Sequence, residues 1–229
     1  MSQKQSSALA SAFTSKSDYT NTARTFTEPV TQAVISGASE EELEEKLSVS
    51  WGVLIDLAAK TEHEAQEPLV ETVKAIQTLG SSSGKESKTV TIWDSQVKLW
   101  GDMPLLGASM RSAWNRAPGS SSKDDFSATE WVNLNAFVAR LTALSLSIPA
   151  FDFSLYAIWT MRSAFEGSES DDAAVGAAKM WFLYAGEFIE KLSREGKAFD
   201  GRIARGGENY GEKGWKGFCE ERLEVWKAA

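Results

Sequence analysis

The strongest constraint on the fold is an apolar pattern that repeats every three or four residues along most of the chain. It is clearest after Ser39, which is followed by the run EEELEEKL. A serine at this place caps a helix, and acidic residues favour its first turn. The stripe then continues through Leu43, Leu47, Trp51, Leu54 and Leu57. This spacing predicts an amphipathic helix that ends near Lys60.

Other segments carry start and stop signals of the same kind. Pro68 suits the first turn of a helix, and Gly80 suits its end. Ser127 and Glu130 form an S-x-x-E capping box before another apolar stripe. Further helices are predicted over 28–35, after Ser154, after Asp171 and through the final segment with Trp215, Phe218, Leu223 and Trp226.

Signals for strands are weak, and the N-terminus has little apolar periodicity. The run KTVTIWD has β-branched residues but no partner run, so we predict the start of a helix or an extended lead-in. Residues 1–25 are rich in Ser, Thr, Lys and Asn, which predicts a flexible tail. The predicted fold is all-α, with a single-domain bundle of about eight helices over 26–229.

Charge and composition exclude several classes of function. The 229 residues carry a net charge of -8, which argues against nucleic acid because its binders need basic surfaces. No secretory signal and no apolar run of bilayer-spanning length is visible, so no membrane contact is expected. A single cysteine, Cys219, fits a reducing compartment. We therefore expect a cytoplasmic or nuclear protein that is not secreted.

Sites that depend on histidine are limited by its scarcity. His63 is the only histidine and lies in the polar run HEAQE. A zinc site, a Ser-His-Asp triad and a Cys-His dyad would each need this one residue. We predict no metal site and no cofactor.

Several polar residues lie on otherwise apolar helix faces. Arg162 follows Ile158 by four residues, and Glu187 follows Tyr184 by three. Asn135 and Arg140 lie in an apolar helix that begins near Trp131, together with Asn133. Buried charge is costly unless it is paired, so these residues either pair across helices or line a cavity. Structural pairing is the favoured explanation.

The stretch WGDMPLLGASMRSAWN combines helix-start and core signals. Pro104 is predicted to begin a helix that Asp102 caps. Leu106, Met110 and Trp114 form a core stripe, and Gly107, Arg111 and Asn115 form a second stripe. A glycine within a helix costs roughly 1 kcal/mol, so Gly107 predicts a close approach by another helix or a ligand.

Five segments, in order, resemble a known family. They are LWGDMPLLGASMRSAWN, NLNAFVARLTA, DFSLYAIWTMRSAFE, AAKMWFLYAGEFIEKLSREGKAF and GWKGFCEERLEVWK, and they extend from Leu99 to Lys227. The chain resembles an all-helical family of unknown function found mainly in filamentous ascomycete fungi. The resemblance implies a soluble helical domain of fungal origin and assigns no catalytic residue. The run DGRIARGGENYGEK departs from the family pattern, which is shorter and more basic there.

Two functional hypotheses follow. In the first, the protein binds or processes a small molecule of secondary metabolism in an interhelical pocket that its 9 Trp residues help to line. An enzyme of this kind would be cofactor-independent, with Glu187 or Tyr184 as acid or base and Arg162 stabilising negative charge. The candidate ligand-binding residues are Arg111, Asn115, Asn135, Arg140, Trp159 and Trp181.

In the second hypothesis, the protein is a non-catalytic interaction or scaffold module, with a homodimer as one form. The same polar residues then make buried interhelical pairs, and exposed aromatics such as Trp226 form the interface. Breaking a buried pair costs about 3–5 kcal/mol, so Arg162→Ala would lower stability markedly in this case.

Overall fold

The computed structural model describes residues 2–14, 18–81, 88–119, 123–169 and 171–229. They form two compact units, Met1–Asp125 and Phe126–Ala229, called here the N-terminal and C-terminal units. The all-α fold class is confirmed: the described ranges contain nine α-helices and one two-stranded hairpin. No helix within these ranges is long and apolar enough to cross a bilayer.

The N-terminal unit consists of five helices and the hairpin. Its elements are α1 (Ser2–Thr14), α2 (Tyr19–Ile35), α3 (Glu40–Lys60), α4 (Glu67–Gly80), β1 (Thr89–Ile92), β2 (Ser95–Lys98) and α5 (Leu106–Trp114), with a 3₁₀ turn at His63–Ala65. Ser39 caps α3 by accepting the N–H of Glu42 at 3.3 Å, as predicted. Pro68 lies in the first turn of α4, also as predicted.

Helix α1 and the first two turns of α2 lie within 1–25, where the sequence predicts a flexible tail. Leu9 of α1 and Ala23 of α2 are fully buried. Gln5 donates from Nε2 to Ser50 Oγ at 2.6 Å, which ties α1 to α3. The apolar stripe of α1 is short and contains small residues such as Ala12, so its hydrophobic signal is low although these residues are buried.

The run KTVTIWD forms β1 and the start of a hairpin, so of the two predicted alternatives the helix start was wrong and the extended segment was right. Val90 lies opposite Val97 in the antiparallel register. The turn residues Trp93 and Asp94 have φ values of 51° and 59°. Two-residue hairpin turns with positive φ usually contain Asn or Gly, so this turn had no recognisable sequence signal.

Helix α5 begins later than predicted. Leu105, with φ of 62°, precedes it, and Pro104 lies before the helix. The carboxylate of Asp102 accepts the N–H of Lys98 at 2.8 Å, so Asp102 closes the hairpin end and does not cap α5. The core stripe of α5 is buried as predicted. A Cβ on Gly107 would meet no atom within 4 Å, so the close approach of another helix predicted there was wrong, and the approach of a ligand stays a prediction.

The C-terminal unit contains four helices. They are α6 (Ala128–Ala143), α7 (Ser154–Phe165), α8 (Asp172–Glu195) and α9 (Glu220–Ala228), with 3₁₀ turns at Pro149–Phe151 and Glu208–Lys213. The capping box of Ser127 and Glu130 is present at α6. Helices α6 and α8 pack so closely that a Cβ on Gly176 would lie 2.9 Å from Val132 Cγ2. These two helices position most of the predicted site residues.

Candidate functional site

Asn135 is the centre of a buried hydrogen-bond network. Its side chain donates to the carbonyl of Trp131 at 2.9 Å. Its Oδ1 accepts from Trp181 Nε1 at 2.8 Å and from Thr160 Oγ1 at 2.9 Å. Asn135 and Trp181 are fully buried. The network joins α6, α7 and α8, so two predicted ligand-binding residues hold the core together.

A second polar centre contains a fully buried ion pair. Glu166 and Arg222 have no exposed side-chain surface, and Arg222 Nε lies 2.7 Å from Glu166 Oε1 while Nη2 lies 3.0 Å from Oε2. Trp226 Nε1 donates to Oε1 at 2.7 Å, and the N–H of Gly207 donates to Oε2 at 2.7 Å. The Arg222 guanidinium also lies 5.3 Å from the ring centre of Trp215. Both carboxylate oxygens of Glu166 are therefore occupied.

Arg162 and Trp159 lie at the edge of this centre and contact the loop that follows α8. Trp159 Nε1 donates to the carbonyl of Ile203 at 2.9 Å. Arg162 Nη1 donates to the carbonyls of Ile203 and Arg205, both at 3.3 Å. The buried pair predicted for Arg162 is thus formed by Arg222, and Arg162 is only partly buried.

Arg111 and Asn115 lie in the other unit and contact each other. Arg111 Nη1 donates to Asn115 Oδ1 at 3.0 Å on the exposed side of α5. They belong to the N-terminal unit, whereas the seven other predicted site residues belong to the C-terminal unit. Trp226, predicted to be an exposed interface residue, is 2% exposed, so that expectation was wrong.

A concave surface of the C-terminal unit follows α8. We call it the α8 groove; its volume is about 570 Å³ and it is open to solvent along one side. It is lined by Ala143, Leu146, the α8 residues 182–188, Glu190, Lys191 and Arg194. Helix α8 is kinked at Ala185, where φ is -133° and ψ is 16°, next to Gly186.

Two of the predicted catalytic residues, Tyr184 and Glu187, line the α8 groove. The guanidinium of Arg140 lies 3.8 Å from the ring centre of Tyr184, a stacked cation–π contact. Glu187 is exposed. The structure therefore brings Tyr184 and Glu187 to one groove and places Arg140 behind Tyr184. Arg162, Asn135 and Trp181 are not among the residues that line it.

Two ion pairs lie at the charged end of the groove. Lys227 Nζ donates a hydrogen bond to Glu190 Oε1 at 2.8 Å and forms a salt bridge with it. This contact lowers the pKa of the Glu190 carboxyl group. Lys191 Nζ lies 3.8 Å from Glu195, a weak pair within the helix. In the described part of the chain no group of three His, Cys, Asp or Glu side chains could hold a metal ion.

Sequence reasoning missed Arg222, although a signal existed. Arg222 follows Phe218 by four residues and precedes Trp226 by four, which places it on the predicted apolar stripe of α9. A charged residue at such a position has to meet a partner in the core. Nothing in the local pattern identified Glu166 as that partner, because the two residues are 56 positions apart.

Comparison with known families gives a match over most of the chain. The profile of a family described as "Protein of unknown function (DUF3632)" matches residues 51–229. The chain belongs to the DUF3632 family. No curated protein and no solved structure gave a match.

The DUF3632 match covers more of the chain than the five resembling segments. It begins at Trp51 within α3 and extends through α9, so it includes the α8 groove and both buried polar centres. Helices α1 and α2 lie outside the matched region.

Proposed function

We propose that this DUF3632 protein is a non-catalytic interaction module that associates with a second copy of itself through the α8 groove. The observation that carries the proposal is the order of charges along α8. When two copies of the helix lie antiparallel, the negative residue of each copy faces a positive residue of the other. Two further observations support it: exposed leucines lie in the same groove, and most of the other predicted polar site residues are engaged in structural contacts.

The apolar part of the groove is exposed. Leu146 and Leu183 are 64% and 60% exposed. Large apolar side chains that share an exposed surface are typical of interaction sites. A groove open along one side would leave much of a small ligand in water, whereas a helix laid along it would cover both leucines.

The charges of α8 match those of an antiparallel second α8. When Glu187 of one copy faces Lys191 of the other, the symmetric contact places Lys191 opposite Glu187 as well, and Arg194 opposite Tyr184. Such self-complementary surfaces are characteristic of two-fold dimers. The segment from Leu183 to Arg194 is about 16 Å long, so three helical turns take part. Glu187 has no ion pair among the described residues, which leaves it available to a partner.

Arg162, the arginine predicted to stabilise negative charge, does not accompany Tyr184 and Glu187 in the groove. Arg162 binds loop carbonyls and does not line the groove that contains Tyr184 and Glu187. Nucleophilic or acid–base catalysis needs its groups within hydrogen-bond distance of one reacting centre. The separation of these residues therefore supports a binding role.

Sedimentation equilibrium of charge-swap variants tests the proposal. We expect the unmodified chain to form a dimer and Glu187→Lys or Lys191→Glu to weaken it, because each variant places like charges opposite each other. The double variant Glu187→Lys/Lys191→Glu restores opposite charges and should recover most of the affinity. Leu183→Glu should also weaken the dimer, whereas Ile35→Glu, at an exposed isoleucine of α2, should not. A monomer at all concentrations, or a double variant as weak as the single ones, would overturn the proposal.

A second candidate function is small-molecule binding in the same groove. It is favoured by the volume of about 570 Å³ and by the contact of Arg140 with Tyr184, which fixes one ring in the wall. A ligand of secondary metabolism, a fungal origin and a cytoplasmic or nuclear location remain predictions of the sequence. Native mass spectrometry of the purified chain distinguishes the two functions: a bound small molecule that is lost in Tyr184→Ala supports this candidate, and a bare dimer supports the first.

A further inference from the structure

A loop after α8 presents arginines that the C-terminal unit holds in place. The loop, residues 201–207, is bound through its backbone: Trp159 and Arg162 donate to its carbonyls, and Gly207 donates to Glu166. Arg222 Nη1 donates to the carbonyl of Ala204 at 2.7 Å. The backbone is fixed by these contacts, while the side chains of Arg202, Ile203 and Arg205 are exposed.

Three positively charged residues meet at one carbonyl of this loop. Arg162 Nη1 lies 3.3 Å and Arg222 Nη2 lies 3.1 Å from the carbonyl oxygen of Arg205, whose own guanidinium is exposed. The geometry thus brings two guanidinium groups to the backbone of a third arginine. This concentration of positive charge occurs in a chain with a net charge of -8.

The local carboxylate compensates only one of these charges. Both oxygens of Glu166 are bound by Arg222, Trp226 and Gly207. Burial lowers the pKa of the Arg162 guanidinium, and the charges of Arg222 and Arg205 lower it further, while Glu166 acts in the opposite direction. Arg205 and Arg202 have no ion pair with an acidic side chain in the described ranges. Glu166 therefore compensates the charge of Arg222, and the charges of Arg202 and Arg205 are not compensated by an ion pair in these ranges.

We propose that Arg162 and Arg205, with Arg202 beside them, form a binding site for an anionic oxygen group of the carboxylate or phosphate class. Guanidinium groups recognise such groups through paired charge-assisted hydrogen bonds. A bound anion would remove the repulsion between the arginines. The exposed Ile203 lies between Arg202 and Arg205 and offers an apolar contact to the remainder of a ligand. This site is separate from the α8 groove and does not depend on it.

Titration with inorganic phosphate and with citrate, each at constant ionic strength set with sodium chloride, tests this site. We expect either anion to raise the Tm of the unmodified chain above its value in chloride alone. Arg205→Gln should abolish the rise and weaken binding measured by calorimetry roughly tenfold or more, since a charge-assisted contact is lost. The backbone carbonyl of Arg205 remains in this variant, so the loop contacts are preserved.

Lys216→Gln is the matched control, because it removes one exposed positive charge near the same loop. It should keep the anion response of the unmodified chain. In chloride alone, Arg205→Gln should be at least as stable as the unmodified chain, because repulsion at Arg162 is relieved. A response to phosphate but not citrate assigns a phosphate site, and the reverse assigns a carboxylate site. No response, or an equal response in Arg205→Gln, which would indicate an adventitious ion only, would overturn the proposal.

Discussion

The two buried polar centres and the α8 groove contain the same types of residue in opposite situations. In the centres around Asn135 and Glu166, the polar side chains are fully buried and each has a partner at 2.7–3.0 Å. In the groove, Glu187 and Arg194 are exposed. Polar residues on apolar helix faces therefore have two uses in one unit. Polar side chains that are buried and hydrogen-bonded to each other stabilise the fold. Polar side chains that are exposed in the groove are available for binding.

This difference has an energetic basis. A buried charge requires a partner to compensate for its lost hydration, so it is costly to disturb. An exposed charge is hydrated and screened, so its loss changes folding stability little. Substitutions in the two regions should consequently separate into large and small effects on the free energy of unfolding.

The largest effect is expected for Arg222→Ala. This change leaves the Glu166 carboxylate buried without its counter-ion, at a cost of about 3–5 kcal/mol. Urea unfolding measures the loss. Lys227→Ala, at an exposed ion pair on the same helix, is the control and should lower the free energy of unfolding far less. If the two variants lost a similar amount of unfolding free energy, the proposed difference between buried and exposed charges would be contradicted.

A smaller loss is expected for Asn135→Leu, which keeps a similar volume. It removes the acceptor of Trp181 Nε1 and Thr160 Oγ1. The threonine hydroxyl can rotate towards a backbone carbonyl, so the main cost is the buried indole donor without a partner, about 1–3 kcal/mol. In the double variant Asn135→Leu/Trp181→Phe the indole donor is absent. Its loss in urea unfolding should therefore be less than the sum of the two single losses. Strict additivity would show that the network does not act as a unit.

Arg162→Ala should have a moderate effect. The sequence predicted a loss of about 3–5 kcal/mol if Arg162 belonged to a buried ion pair. The structure assigns that pair to Arg222, and Arg162 makes two long hydrogen bonds at the edge of the centre. We therefore expect a loss of about 1 kcal/mol in thermal or urea unfolding. A value near that of Arg222→Ala would restore the original prediction.

The smallest effect on folding is expected for Glu187→Gln. Surface substitutions of this kind usually change stability by less than about 0.5 kcal/mol. Unfolding measured at low protein concentration, where a dimer is dissociated, should be unchanged. The same variant should weaken self-association, as measured by sedimentation equilibrium. A large loss of monomer stability would place Glu187 among the structural residues and contradict its assignment to a binding surface.

Helix positions were predictable where the local signals are complete. Ser39, Pro68, Ser127 and Asp171 mark helix starts that the structure confirms, because a cap requires only residues close in sequence. The hairpin at Trp93 and the late start of α5 after Leu105 were missed. Both depend on non-glycine residues with positive φ, which the surrounding packing has to stabilise.

For the candidate site, the sequence predicted which polar residues lie on apolar helix faces, but not what each of them contacts. The sequence identified Arg162, Asn135, Glu187 and Tyr184 as polar residues on apolar stripes, and each lies on the helix expected for it. Helical periodicity states which face a residue occupies on its own helix and contains no information on the opposite helix. It therefore could not separate Asn135, which meets Trp181, from Glu187, which meets solvent.

The sequence alone thus determined the helical fold class, most helix starts and the apolar stripes, because these follow from interactions within a few turns of chain. Only the tertiary structure decided that Arg222 and not Arg162 pairs with Glu166, and that the kink at Ala185 lies within an open groove. Those outcomes depend on contacts between residues far apart in the chain, and the free energy of burial, not local propensity, selects among them.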